Sequence, residues 1–406
     1  DMESVSNPQI SPDGSEIVYT RGWVDKINDS RESSVWIMNA DGSRNRFLVD
    51  GSAPVWSPDG TRIAYTASGE PEGSQIFVRW MDDEGAITQV TRVENGPSSL
   101  RWSPDGTRIS FSMSVDDKES WGISPPGRPE GAKWTEDPKV VTRADYRQDR
   151  VGFNDDGWRH VWVVPADGGT PRQLTDGNWH HSAASWTPDG KELVFSSLRT
   201  EDAELAWRES EVYSVDVATG VIRQLTDREG IDSGPLPSPD GRYIAYFGGP
   251  AHTDSYRNGQ AWVMDRDGSN TRLISGDFDR QSSGFRWAPD GSGLYFTAND
   301  AGSRNIHFVS VDGGVEQVTE GTQLMGIGSI SADGVLVGTR SSFHEPGDIV
   351  SFAVDRPDRI QRLTHVNDDV LADVTLGEVE EIWYESLDGY RFQGWIVKPP
   401  DFDASQ

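Results

Sequence analysis

No cysteine occurs among the 406 residues. Disulfides, a cysteine nucleophile and cysteine-based zinc sites are therefore excluded within this chain. There is also no apolar run near eighteen residues, so no segment reads as a membrane-spanning helix. Lysine is scarce: only six of the 37 basic residues are Lys. The basic residues are outnumbered by 66 acidic ones, and the net charge is −29. That charge argues against a nucleic-acid partner, whose phosphates would be repelled. Its plain reading is a solvated acidic surface. The chain starts at Asp1, with no initiator Met and no signal peptide, and reads as a processed or trimmed product. The compartment stays open, with the periplasm or exterior ahead of the cytoplasm.

What the chain does have is turns and tryptophan. Gly (43), Pro (23) and Trp (16) are frequent. One phrase repeats: Trp56-Ser57-Pro58-Asp59-Gly60, Trp102-Ser103-Pro104-Asp105-Gly106, Trp186-Thr187-Pro188-Asp189-Gly190 and Trp287-Ala288-Pro289-Asp290-Gly291. Looser copies run over residues 10–14, 237–241 and 330–334. Pro presets φ for the first corner of a type I turn, Asp suits the second, and Gly takes the left-handed position that closes a hairpin. The phrase's Asp falls at 13, 59, 105, 189, 240, 290 and 333. The intervals are 46, 46, 84, 51, 50 and 43 residues. A period of about 50 residues with four short strands is the size of a β-propeller blade.

A second phrase closes each unit: Gln89-Val90-Thr91, Gln173-Leu174-Thr175, Gln224-Leu225-Thr226, Gln317-Val318-Thr319 and Arg362-Leu363-Thr364. The interval of 84 contains one third-strand pattern, Val161 to Val164, so it is read as one blade with an insertion rich in Pro, Gly and charge (residues 125–131). The chain is therefore expected to be all-β: a seven-bladed propeller of four-stranded blades over residues 1–366. Long connections are expected between second and third strands, at residues 22–34, 114–159, 198–210, 248–259 and 341–347. In a propeller those connections share one face. A rigid ring with one elaborated face carries recognition there.

After Thr364 the repeats stop. Residues 367–377 read as a linker. Residues 378–406 contain a hairpin by alternation: a strand to Ser386, a turn at Asp388-Gly389, and a strand from Tyr390 to Val397. This tail resembles the lead-in to the α/β-hydrolase domain of the prolyl oligopeptidase family of serine peptidases, in its acylaminoacyl-peptidase and dipeptidyl-peptidase-like branch. Gly394-Trp395-Ile396 and Lys398-Pro399 carry the match, and the propeller phrases agree with it. The resemblance implies a serine peptidase acting on short peptides, with a propeller that gates the substrate. It implies no cofactor, and no catalytic residue within this chain. The family's Gly-x-Ser-x-Gly elbow is absent here, Gly326-Ile327-Gly328-Ser329-Ile330 being a superficial echo. The chain is thus expected to be a fragment, or one of two processed chains, its partner being a hydrolase domain of its own polypeptide or of a second chain. A homo-oligomer is left open.

Candidate substrate-binding residues lie in two places. Glu201, Asp202 and Glu204 fall in a blade-four connection; the resemblance implies that such carboxylates could anchor a peptide's ammonium group. The alternative is a solvated acidic loop. Tyr146, Arg147, Phe153, Trp158 and Arg159 fall in or beside the large insertion, where they would close a cavity, contact a peptide carboxylate, or simply pack. Trp179-His180-His181 is read as structural, since adjacent histidines in a strand point opposite ways. A calcium loop at Asp265 is rejected, because Gly276 occupies the position that needs a bidentate acid. The rival functional reading is a TolB-like periplasmic propeller that binds a protein partner without catalysis. A propeller lactonase or glycosidase would need a metal or carboxylate cluster on the inner strands. The inner segments around Val55, Arg101, Ser185 and Arg286 contain none.

Overall fold

The computed structural model describes residues 2–116, 127–135, 141, 143–154, 157–206, 208–254 and 257–405. Part of the Pro-rich insertion, Pro125 and Pro126 included, lies outside the described residues. The chain pairs into five separate four-stranded antiparallel sheets, and an eight-stranded sheet that divides into two more of the same kind. A single parallel pairing, Arg304 with Leu324, joins those two. The fold is a β-propeller.

Blade 1 comprises Ser4–Ile10, Glu16–Asp25, Ser30–Asn39 and Arg46–Asp50. Blade 2 is Ser52–Trp56, Arg62–Gly69, Gly73–Trp80 and Ile87–Gln89. Blade 3 is Ser98–Trp102, Arg108–Val115, Trp158–Pro165 and Arg172–Gln173. It spans the long interval as one sheet, and its insertion carries a small hairpin, Arg147–Gln148 with Gly152–Phe153. Blade 4 runs from Ser185–Trp186 to Ile222–Gln224, blade 5 from Gly230–Pro237 to Arg272–Leu273. Blade 6 runs from Ser282–Trp287 to Val315–Gln317, and blade 7 from Leu324–Ile330 to Gln361–Arg362.

Both faces of each sheet are apolar, because successive side chains on a strand point to opposite faces. In blade 2, Ile63 and Tyr65 pack against blade 1, while Ala64 packs toward blade 3. Seven apolar clusters result, one in each seam. The seam between blades 7 and 1 has its own, with Ile10, Ile17 and Tyr19 against Val337, Ile349 and Leu363. The ring closes by packing and side-chain bonds rather than by a shared sheet. Glu3 N–H donates to Asn367 Oδ1 at 2.7 Å, and Asn367 Nδ2 donates back to Glu3 O at 2.9 Å. Asn367, the first residue of the expected linker, is therefore buried in the closure.

The two phrases acquire physical roles. Each tryptophan bridges a seam: the indole N–H groups of Trp56, Trp102, Trp186 and Trp287 donate to Gln9 O, Val55 O, Arg101 O and Leu236 O, at 2.8–3.2 Å. In the turns, the hydroxyls of Ser57, Ser103, Thr187 and Ser238 donate to the Asp two residues on, at 2.6–2.7 Å. The seven closing glycines have φ from 67° to 82°, a region that favours glycine. In the outer phrase, the Thr hydroxyl accepts a bond from the third strand's backbone, as in Thr91 with Ile76 N and Thr226 with Val212 N. Gln89, Gln173, Gln224 and Gln317 each bond their own Thr's carbonyl.

One expectation is corrected. Residues 22–34 are not a loop. The second and third strands of blade 1 run on, pairing Gly22 with Ser33 through to Asp25 with Ser30. Ladder bonds persist there although the side chains are exposed.

Replacing Trp102 by Phe removes the indole donor whose bond to Val55 O crosses the seam between blades 2 and 3. The expected loss is about 1–2 kcal/mol by chemical denaturation. The same change at exposed Trp23 should cost less than about 0.5 kcal/mol.

Candidate functional site

The insertion of blade 3, the 198–210 connection of blade 4, the 251–259 connection of blade 5 and the 342–347 connection of blade 7 all link second to third strands. They emerge on one face. The terminal hairpin, Val379–Glu385 with Arg391–Val397, rests on the same face. Trp395 packs on Phe343 with ring centroids 4.9 Å apart, and Gln393 Nε2 donates to Ala301 O at 2.8 Å. His344 Nε2 donates to Gly377 O at 2.8 Å. The hairpin's remaining apolar side chains, among them Tyr384, Leu387, Tyr390 and Val397, stay exposed.

The structure joins the two groups of candidate residues through a residue that was not among the candidates, Arg143. Its guanidinium lies 3.9 Å from the Trp158 ring centroid, and its Nε is 3.7 Å from Glu204 Oε1. Glu204 Oε1 also accepts from Asp145 N at 3.2 Å. Arg143 Nη1 donates to Gly157 O at 3.4 Å. Tyr146 and Phe153 sit on the insertion hairpin, with ring centroids 6.2 Å apart, and both are exposed. Arg147 and Arg159 are exposed, as are Glu201 and Asp202. The backbone N–H of Arg159 donates to His180 Nδ1 at 3.2 Å, but nothing ties Glu201 or Asp202 to the insertion among the described residues. Glu204 is thus engaged by a cation of its own chain, which weakens it as an anchor for a foreign ammonium.

The histidines hold the blade 3–4 seam. His180 packs tilted against Trp158, with ring centroids 4.9 Å apart, and His181 against His160 at 5.1 Å. His181 Nδ1 donates to Arg159 O at 3.0 Å, leaving Nε2 to accept from Arg199 Nη1 at 2.8 Å. That arrangement requires neutral imidazole, and burial accordingly pulls His181 down to about 4. His160 is pulled to about 4 for the same reason. A metal role finds no support in this geometry, since both nitrogens of His181 are committed. The Asp265 segment is a hairpin turn, with Gly268 N bonded to Asp265 O at 2.9 Å.

Two features escaped the sequence reading. The first is a cavity of about 270 Å³ between blades 4, 5 and 6, walled by Ile231, Phe247 and Pro250 and rimmed by Arg208, His252 and Asp254. Its signal was the long 248–259 connection, but no sequence pattern says that three blades leave a hollow. The second is a buried cluster beside it. Asp232 pairs with Arg228, whose guanidinium covers Trp262 at 4.1 Å. Nearby Glu211 is pushed up to about 7, chiefly by burial, against the bond from Thr226 and with Asp232 adding repulsion. Glu211 occupies the slot held by Gln75 in blade 2 and Asn305 in blade 6, each of which accepts the outer-phrase Thr hydroxyl. Its role is that lock.

An acid raised in the fold loses stability as pH climbs from its unfolded value through its folded one. Glu211→Gln keeps the acceptor and removes the charge. Its thermal midpoint should rise relative to the parent between pH 5 and pH 8, with little difference at pH 4, as read by calorimetry.

Residues 131–252 match the family model described as the dipeptidyl peptidase IV (DPP IV) N-terminal region. The chain is 26% identical over 424 residues to the uncharacterized peptidase YuxL of Bacillus subtilis (strain 168), covering 99% of this chain and 63% of that protein. It is 25% identical over 431 residues to a dipeptidyl-peptidase 5 of Porphyromonas gingivalis, covering 100% of this chain and 60% of the relative. The chain thus spans about 60% of the length of these curated relatives. Among solved structures, an acylaminoacyl peptidase bound to Z-Gly-Gly-Phe-chloromethyl ketone superposes with a TM-score of 0.79 at 20% identity, over 100% of this chain and 59% of that one. The β-propeller domain of the Trilobed protease from Pyrococcus furiosus gives 0.62 at 16%, over 92% of this chain and 98% of that one. These structures share the propeller fold.

Proposed function

We propose that this chain, a relative of the N-terminal propellers of prolyl oligopeptidase-family peptidases, is the substrate-gating portion of a serine peptidase that cleaves short peptides. In this reading residues 1–366 are the propeller and 367–377 the linker. Residues 378–406 begin an α/β-hydrolase domain, and the catalytic Ser, Asp and His lie in a region beyond this chain. The observation that carries it is the seat of the terminal hairpin. Trp395 of the Gly-Trp-Ile segment is docked on the elaborated face, with the hairpin's outer aromatic side chains exposed. A domain continuing from that hairpin comes to lie over the insertion, the cavity and the mouth of the ring.

The chemistry then divides. The hydrolase Ser attacks the scissile carbonyl, His relays the proton, and backbone N–H groups hold the oxyanion. The propeller supplies exclusion. A closed ring with seven packed seams admits a short peptide and rejects a folded protein. The Arg143–Trp158–Glu204 node fixes the insertion that borders the site. Tyr146, Arg147, Phe153 and Arg159 present aromatic and cationic groups to an incoming peptide, and Glu201 and Asp202 present exposed carboxylates. No cofactor is required. The TolB-like reading is weaker, because the relatives that match this chain over its full length are peptidases.

The test is fluorophosphonate labelling of the natural polypeptide, followed by peptide mapping. The label is expected on a serine outside residues 1–406, and residues 1–406 alone should stay unlabelled. An unreactive full polypeptide would overturn the reading. In that polypeptide, Arg143→Ala should raise KM for short peptides about threefold or more with kcat little changed, because it loosens a positioning element and not the reacting groups.

A further inference from the structure

The innermost strand of every blade has one position immediately before the phrase: Gln9, Val55, Arg101, Ser185, Leu236, Arg286 and Ser329. Its backbone carbonyl receives the next blade's tryptophan where one is present. The repeat therefore constrains the backbone at this position and leaves the side chain free. Five blades use an uncharged residue. Blades 3 and 6 use arginine.

Arg101 keeps substantial accessible surface although protein surrounds it, as a side chain lining a water-filled channel does. It makes no hydrogen bond or ion pair among the described residues, and no acid offsets its burial, which holds its pKa below the ordinary value. Arg286 is pulled down to about 10, first by burial and then by the charge of Arg101. Blades 3 and 6 lie on opposite sides of the ring, so the two arginines hold the same inner-strand position on facing sides of the central channel. Among the described residues Arg286 is held by backbone carbonyls: Nε donates to Gly328 O at 2.8 Å and Nη1 to Phe285 O at 2.9 Å. Beside it is a cavity of about 200 Å³, lined by residues 5–9 of blade 1, residues 326–328 and Thr339.

Two guanidinium groups without a counter-ion are costly in a confined site. The cost is offset when an anion enters, and guanidinium matches carboxylate geometry. The rest of the molecule, at a net charge of −29, disfavours polyvalent anions more than a singly charged carboxylate. We propose that Arg101 and Arg286 form a carboxylate-binding site in the central channel, taking a free peptide C-terminus or a small organic acid. The site is independent of the peptidase chemistry, because it lies wholly within the propeller.

Isothermal titration of the full chain at low salt tests it, with three probes: an N-acetylated tripeptide acid, its C-terminal amide, and acetate. The acid should bind at least about tenfold more tightly than the amide, and the affinity should fall as salt is raised. Arg101→Gln should remove the difference. This variant leaves the fold intact, because the bond from Trp186 uses the Arg101 backbone carbonyl; an unchanged circular dichroism spectrum and melting temperature would check this. Acetate binding as tightly as the tripeptide acid identifies the small acid as the ligand; weaker acetate binding identifies the peptide end. Equal binding of acid and amide overturns the site, as does an Arg101→Gln variant that binds the acid like the parent. Should Arg101→Gln melt early, Arg101→Lys replaces it: the charge is kept, the fork is lost, and affinity for the acid should drop severalfold while the salt dependence persists. An Arg101→Lys variant with unchanged affinity also overturns it.

Discussion

A four-stranded sheet with two apolar faces cannot stand alone, and the fold follows from that constraint. Each blade must be covered on both sides. Seven blades satisfy one another in a ring, and the last seam is covered like the rest. The tryptophan of the turn phrase makes this contact directional. Apolar burial alone would let neighbouring blades slide. An indole N–H that must find a carbonyl one blade back fixes their relative height, because a buried donor left unpaired costs more than the bond contributes. The Thr of the outer phrase does the same within a blade, tying the fourth strand to the third.

Rigid seams free one face to vary. On the side of the turn phrases, each first-to-second-strand connection is a short turn built on Asp and Gly, in most blades with Pro and a hydroxyl. On the other side, the connections between second and third strands bear no such grammar, and they carry the insertion, the 198–210 segment and the seat of the terminal hairpin. Backbone there need not pair with a neighbouring blade, so length is tolerated. One cation ties the described part of the insertion to blade 4. Arg143 touches Trp158, Glu204 and a backbone carbonyl at once. It gathers chain segments some sixty residues apart. The exterior is strongly acidic, while the interior holds its polar groups neutral or paired: His160 and His181 lose their proton readily, and Glu211 keeps its own. Arg101 and Arg286 depart from that pattern, with no acid paired to either among the described residues.

Local chemistry made most of the fold legible from the sequence. Pro, Asp and Gly encode a turn wherever they stand together, and strand alternation needs only neighbours in sequence. So the seven units, the single blade across the long interval, the decorated face and the hairpin turn at Asp388-Gly389 could be read before any coordinates. The run-on strands of blade 1 could not, since exposed residues 22–33 carry no apolar alternation to mark a ladder. The site was legible only in part. Tyr146, Phe153, Trp158 and Glu204 were picked out by residue type, yet which of them meet depends on Arg143, whose partners lie up to some sixty residues away and are set by packing.

The sequence by itself determined the repeat, the turns, the all-β class and the absence of any cysteine chemistry, because each of these is a property of a few adjacent residues. The tertiary structure alone decided which side chains face a seam, the exposed face or the channel. Glu211 became a structural acceptor, Glu204 an ion-pair partner, and Arg101 and Arg286 occupants of the same inner-strand position in blades on opposite sides of the ring. The reason is geometric: ring closure brings together positions as far apart as Glu3 and Asn367, 364 residues along the chain, and no local pattern encodes a contact of that kind.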